Sequence, residues 1–191
     1  RQQWRYARQF TINNDEIYIA DTYNHMIKVL DLNGRCKRQD GIYSPRQSAY
    51  YPHAIAVNNS YVFIGFGLTT GRIAVMHKST LRTAVWGPQN LNSYHQYGWG
   101  MSLNSAGNKL MIADYNRNQI IEFNVNGYTL SHLRSSASSY SSSNGYFRGP
   151  VDAGYDSNGN IYALDLYGHR IQKFNSSFVY QAKTGSYSTS S

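Results

Sequence analysis

Apolar and polar residues alternate along short segments of this chain, and the alternation returns at a regular interval. Ile17-Tyr18-Ile19-Ala20-Asp21, Leu110-Met111-Ile112-Ala113-Asp114 and Ile161-Tyr162-Ala163-Leu164-Asp165 share one pattern. Each is followed, five residues beyond its Asp, by a second alternating run: Met26-Ile27-Lys28-Val29-Leu30, Gln119-Ile120-Ile121-Glu122-Phe123 and Arg170-Ile171-Gln172-Lys173-Phe174. A degraded copy runs from Tyr61 to Met76, with Gly65 read in place of the Asp and Gly71-Arg72-Ile73 in place of the turn step. A period of two predicts strands with one face buried. The polar turns Thr22-Tyr23-Asn24-His25, Tyr115-Asn116-Arg117-Asn118 and Leu166-Tyr167-Gly168-His169 predict the hairpins between them. Asn33-Gly34 and Asn126-Gly127 mark the next hairpins, which lead to an outermost strand. No segment carries the period of a long amphipathic helix, so the chain is predicted to be all-β.

Spacing extends that prediction to architecture. Ile27, Ile73, Ile120 and Ile171 lie 46, 47 and 51 residues apart, the length of a four-stranded repeat with a generous loop. The strings Tyr18-Ile19-Ala20-Asp21-Thr22-Tyr23-Asn24-His25-Met26-Ile27 and Tyr162-Ala163-Leu164-Asp165-Leu166-Tyr167-Gly168-His169-Arg170-Ile171 resemble the NHL repeat, a builder of β-propellers. The resemblance is specific in copies one, three and four and poor in copy two. It implies a β-propeller of four NHL-type blades, either a compact four-bladed ring or part of a larger or open propeller, since the family usually has about six blades. The predicted blades are 1–41, 42–87, 88–134 and 146–185, with a Ser-rich loop at 135–145 and a flexible Ser-rich tail at 186–191. A chain that starts at Arg1 fits a processed or truncated protein.

Composition narrows the setting. With 191 residues, 41% of them hydrophobic, the chain suits one domain able to bury a core. Only 15% of residues are charged while Tyr occurs 18 times, a polar but weakly charged surface expected of a secreted or extracellular protein. No apolar stretch approaches the roughly 18 residues a membrane-spanning helix needs. The net charge of +8 invites a polyanion, yet the basic residues are dispersed and only Arg35-Cys36-Lys37-Arg38 is dense. Cys36 has no partner for an internal disulfide; its basic setting favours a thiolate, and the simpler reading is a small residue on an outer strand. Asn58 and Asn175 each head a glycosylation sequon on a predicted turn.

In a propeller the innermost strands line a central channel, and aligning the copies places Arg8, His53, Trp99 and Val151 at its mouth. The loops feeding that face carry Tyr43, Tyr50, Tyr51, Tyr94, Tyr97, Tyr140, Tyr146 and Phe147, with Arg46, His95 and Arg148 interleaved. Arg8, His53, Trp99, Tyr50, Tyr51, Tyr94, Tyr97, Tyr146 and Arg148 are therefore the candidate contacts for a protein or glycan, with self-association through blade edges in the same class. The plainer alternative is that these rings pack over a small core. Ser135 to Ser143 reads as a mobile linker or lid.

Two other functions compete. The family resemblance allows single-stranded RNA on a basic aromatic face, with Arg8, Arg46 and Arg148 as its parts. Pro52-His53-Ala54-Ile55 is similar to the zinc-binding context of the peptidyl-amidating lyases. The equivalent positions are Arg8, Trp99 and Val151, so the His set that a catalytic zinc needs is incomplete. No nucleophile elbow, phosphate-binding glycine loop or carboxylate pair is present in the sequence. The expectation is a non-catalytic binding or assembly module with no metal or cofactor. Asp21, Asp114 and Asp165, with His25 and His169, are expected to serve the turns.

Overall fold

A computed structural model describes residues 3–41, 51–67, 73–86 and 98–186. These form four antiparallel sheets of four strands each, in sequential order within every sheet. Blade 1 is β1 (Ala7–Asn13), β2 (Glu16–Asp21), β3 (Met26–Asp31) and β4 (Cys36–Gly41). Blade 2 is β5 (Tyr51–Val57), β6 (Tyr61–Gly67), β7 (Ile73–His77) and β8 (Thr83–Trp86). Blade 3 is β9 (Gly98–Leu103), β10 (Lys109–Asp114), β11 (Gln119–Asn126) and β12 (Thr129–Ser135). Blade 4 is β13 (Pro150–Tyr155), β14 (Ile161–Asp165), β15 (Arg170–Phe174) and β16 (Tyr180–Thr184). One 3-10 turn, Thr22–Asn24, is the helical element among the described residues, and none is long and apolar enough to cross a membrane.

The repeated turn chemistry is visible in the backbone. His25, Asn118 and His169 occupy equivalent positions and all adopt the left-handed conformation, with φ of 54°, 53° and 49°. Each donates its amide to the carbonyl three residues earlier, in Thr22, Tyr115 and Leu166. Asp21, Asp114 and Asp165 precede these turns and are fully buried. Asp165 Oδ1 accepts the Arg148 amide at 2.7 Å, and Asp21 Oδ1 accepts the Arg5 amide at 2.9 Å, so each ties the chain entering its own inner strand. Asp114 accepts the amide of Arg117 within its turn. Register corrects the sequence alignment of copy two: Phe66, paired with Pro52, holds the Asp position, whereas Gly65 matches Ala20 and Ala113. Blade 2 has replaced a buried carboxylate with a buried ring.

Inner strands pack β1 on β5, β5 on β9 and β9 on β13, and the core lies between consecutive blades in three clusters. Alternation decides which way each residue faces. Tyr18, Ala20, Ile27 and Val29 of blade 1 pack on Ile55, Val62, Ile64 and Met76 of blade 2. Phe63, Ile73 and Val75, on the other face of blade 2, pack on Leu110, Ile112 and Ile121 of blade 3. Met111, Ala113 and Ile120 then pack on Ala153, Ile161 and Ala163 of blade 4. The series stops there. Phe10 and Ile12 on blade 1 remain 63% and 56% exposed, and Leu164 and Ile171 on blade 4 remain 44% and 41% exposed. Among the described residues the four propeller blades thus form an open array, with the outer faces of blades 1 and 4 uncovered.

The Ser-rich segment between blades 3 and 4 is not the loose lid its composition suggests. Arg170 lies in a buried ion pair with Asp165, Nε to Oδ2 at 2.9 Å, and spreads its remaining donors over the carbonyls of Ser141, Ser142, Ser143 and Tyr146. Gln172 adds a 2.6 Å bond to the Tyr146 carbonyl and accepts the Gly145 amide. Phe147 is buried in the blade 3–4 core rather than on a binding rim. Side chains of blade 4 satisfy the loop carbonyls that its own turns, such as Tyr146 to Ser143, leave unpaired.

Candidate interaction site at the mouth

All four residues aligned at the mouth share a backbone device. Strand pairing steps over Arg8, His53, Trp99 and Val151, each the extra residue of a bulge in β1, β5, β9 and β13. A bulge frees one residue from the ladder and re-aims its side chain, a common arrangement beside binding sites. Below the bulges Gln9 stitches three inner strands, accepting the Ile55 amide at 2.8 Å and donating to the Met101 carbonyl at 3.2 Å. At the far end a cleft of about 510 Å³ lies between β1, β5 and β9, edged by Asn13, Asn58 and Asn104.

The mouth itself is an aromatic ladder. The Arg8 guanidinium lies 5.2 Å from the Trp99 ring centre, Trp99 stacks on Tyr115 at 4.9 Å, and the Tyr115 hydroxyl donates to that of Tyr167 at 3.1 Å. Gly149 makes this possible: its φ is +96°, and a Cβ there would come within 3.1 Å of both tyrosine rings. Arg148 stacks over Tyr140, at the rim, 4.9 Å from its ring centre. Across the mouth, Tyr6, Tyr23, Tyr51 and His25 pack edge to face at 4.6 to 5.4 Å.

The structure brings Arg8, Trp99, Tyr51 and Arg148 to this face. Tyr146 is held there by its backbone, as an anchor of the loop. Tyr50, Tyr94 and Tyr97, with Tyr43, Arg46 and His95, lie outside the described residues. His53 is a correction: it is 4% exposed, beneath the mouth rather than on it. Burial, then the nearby charge of Arg8, pulls its pKa down to about 4, so it is neutral at physiological pH. Tyr23, Tyr115 and Tyr167 were not among the sequence candidates. They sit in the turn from second to third strand, and antiparallel order brings that turn to the same end as the loops entering the inner strands.

Elsewhere the sequence candidates are absorbed by structure. Lys37 and Arg38 of the one dense basic cluster bind Glu16 at 2.5 and 2.8 Å, and Tyr18 donates to the same carboxylate at 2.6 Å. Arg38 foremost, helped by Lys37 and Tyr18, holds the Glu16 pKa down to about 2. Cys36 is exposed on β4 beside them. Asn58 Oδ1 accepts the amides of Ser60 and Tyr61 while Nδ2 donates to the Gly107 carbonyl, so the sequon nitrogen is turned inward. Asn175 Oδ1 caps its own turn through Ser177 and Val179. Among the described residues no group of three His, Cys, Asp or Glu side chains could hold a metal ion.

Comparison with known proteins agrees with the propeller fold. Residues 147–174 match the NHL repeat, spanning Phe147 to the end of β15 in blade 4. Among solved structures the chain is similar to Kuenenia stuttgartiensis hydrazine synthase, with a TM-score of 0.68 at 11% identity over 96% of this chain and 50% of that one. The chain therefore spans half the length of that protein, and at such identity the likeness concerns the fold. A comparison with curated proteins gave no match. The chain carries an NHL repeat match within its fourth blade, in an all-β array of four propeller blades.

Proposed function

We propose that this chain is a non-catalytic, extracellular binding module that meets a protein or glycan partner at the mouth. The observation that supports it is the ladder Arg8-Trp99-Tyr115-Tyr167, which joins three blades in one partly exposed strip. Tyrosine and tryptophan offer large rigid contact area and a polar tip at small entropic cost, and arginine stacked on a ring presents its remaining donors outward. Such a surface suits a sugar ring or an aromatic-rich peptide face. The reading is tested by probing a glycan array and an immobilised peptide library with the protein and with Trp99→Ala and Arg8→Ala. Ligands retained by the protein and lost at least tenfold by both variants support it, and retention by both variants refutes it.

Single-stranded RNA is the second reading, favoured by guanidinium–ring stacks at both Arg8 and Arg148 and by the net charge of +8. Poly-uridine binding that weakens steeply with added salt would move the assignment to RNA.

A further inference from the structure

The fold gathers at the mouth a charge that the sequence scatters. Asp21, Asp114 and Asp165 are fully buried, and each accepts the backbone amide of an arginine: Arg5, Arg117 and Arg148. Asp21 and Asp165 are further matched by the buried cations Lys28 and Arg170. Three blades therefore hold their carboxylate inside the fold while pinning the backbone of an arginine at the mouth. Arg5 and Arg148 occupy the same place, three residues before the bulge positions Arg8 and Val151. Against Arg5, Arg8, Arg117 and Arg148, the one carboxylate not buried on the described strands and turns lining the mouth is Asp152, which lies against Gly100. Asp15, Asp31 and Asp156 stand at the opposite end of the blades.

The rings decide how that charge is presented. Nucleic-acid bases need open ring faces to stack on. Here Arg8 lies over Trp99, whose ring also stacks on Tyr115, and Arg148 lies over Tyr140. At these positions the rim offers guanidinium donors where RNA needs bare rings. A guanidinium held flat against a ring keeps its planar fork of N–H donors, which matches the paired oxygens of an acidic group. The Tyr167 amide donates to the Arg148 carbonyl at 3.3 Å, so the ladder that starts at Arg8 ends beside Arg148. A cation at each end of the strip suits a chain that carries acidic groups at intervals.

We propose that the ligand met at the mouth is an acidic polysaccharide, a linear chain bearing carboxylate or sulfate groups that the arginines clasp. The inference rests on the mouth being the contact face.

The test is calorimetric titration of the protein with polygalacturonate, heparin, neutral dextran and poly-uridine, repeated at rising salt. One or both acidic polysaccharides are expected to bind, dextran is not, and added salt should weaken the binding. Arg8→Ala and Arg148→Ala should each weaken it about tenfold, the loss of a charge-assisted fork, with partial recovery in Arg8→Lys and Arg148→Lys. Arg82→Ala, exposed at the opposite end, should leave it unchanged. Circular dichroism checks that each variant keeps the β spectrum. Binding of neither acidic polysaccharide overturns the proposal, as does an equal loss in Arg82→Ala, which would mean diffuse attraction. Tighter binding of poly-uridine overturns it in favour of RNA. Dextran bound as tightly, and lost with Trp99→Ala, overturns the acidic ligand but keeps the mouth as the contact face. Polyanion binding untouched by Trp99→Ala and by both arginine variants overturns the mouth itself.

Discussion

Blade 4 is one sheet with two unlike faces. Toward blade 3 it places Ala153, Ile161, Ala163, Asp165, Arg170, Gln172 and Phe174, all buried, including an ion pair and an amide that hold the loop. Away from blade 3 it places Tyr162, Leu164 and Ile171, apolar yet exposed, beside a half-buried Lys173. The same alternation therefore yields a core on one side and an exposed apolar surface on the other. Position in the array, not residue type, makes the difference.

Paired substitutions across the sheet test that comparison most strongly. Phe174→Ala on the buried face is expected to cost about 3–5 kcal/mol in chemical denaturation, the usual cost of a core aromatic. Leu164→Ala on the open face should cost about 0.5 kcal/mol. Equal costs would mean that the open face is covered in the monomer. Charge behaves alike. Arg170→Ala strands Asp165 and is expected to cost about 3–5 kcal/mol, with new proteolytic cleavage in the Ser-rich loop. Lys173→Ala, losing an exposed stack over Tyr162, should cost about 0.5–1 kcal/mol.

Acid sharpens the contrast from the other end of the array. His53 is neutral when folded down to about pH 4, while the unfolded chain takes up its proton below about 6.5. Stability should therefore fall by about 3 kcal/mol between those values and then level off, and His53→Gln should flatten that part of the profile. Glu16 works at lower pH. Its folded pKa of about 2 means that its contribution is intact above the ordinary carboxylate value of 4.5 and lost as pH falls toward 2. Given the solvent reach of Lys37, that loss is on the order of 2 kcal/mol, and Glu16→Gln removes it. At the mouth, Gly149→Ala should cost about 1–2 kcal/mol through its positive φ, while dispersing the Tyr115–Tyr167 contact and reducing partner binding.

Much of the fold was legible in the chain, and the failures have physical causes. Period-two alternation and Asn-Gly turns located strands because both are local properties of the backbone. Gly65 was misread as the Asp position because pattern matching aligns residue types, whereas hydrogen-bond register aligns Phe66. His53 lined up with Arg8 and Trp99 as a bulge residue, but a bulge sets direction and not depth. Tyr115 and Tyr167 were hidden in turns whose place at the mouth depends on strand direction, though that order could have been followed from the repeat. The Ser-rich loop read as mobile from its composition; its anchor is Arg170, more than twenty residues away.

By itself the sequence determined the repeat, the all-β character, the turns and the equivalence of four inner-strand positions, since these depend on spacing and on preferences within a few residues. Only the tertiary structure decided which alternating face is core and which is open, that Arg8 meets Trp99 across blades, and that the array does not close on itself. Those outcomes depend on how blades stack, and an isoleucine carries the same local signal with a neighbouring blade or without one.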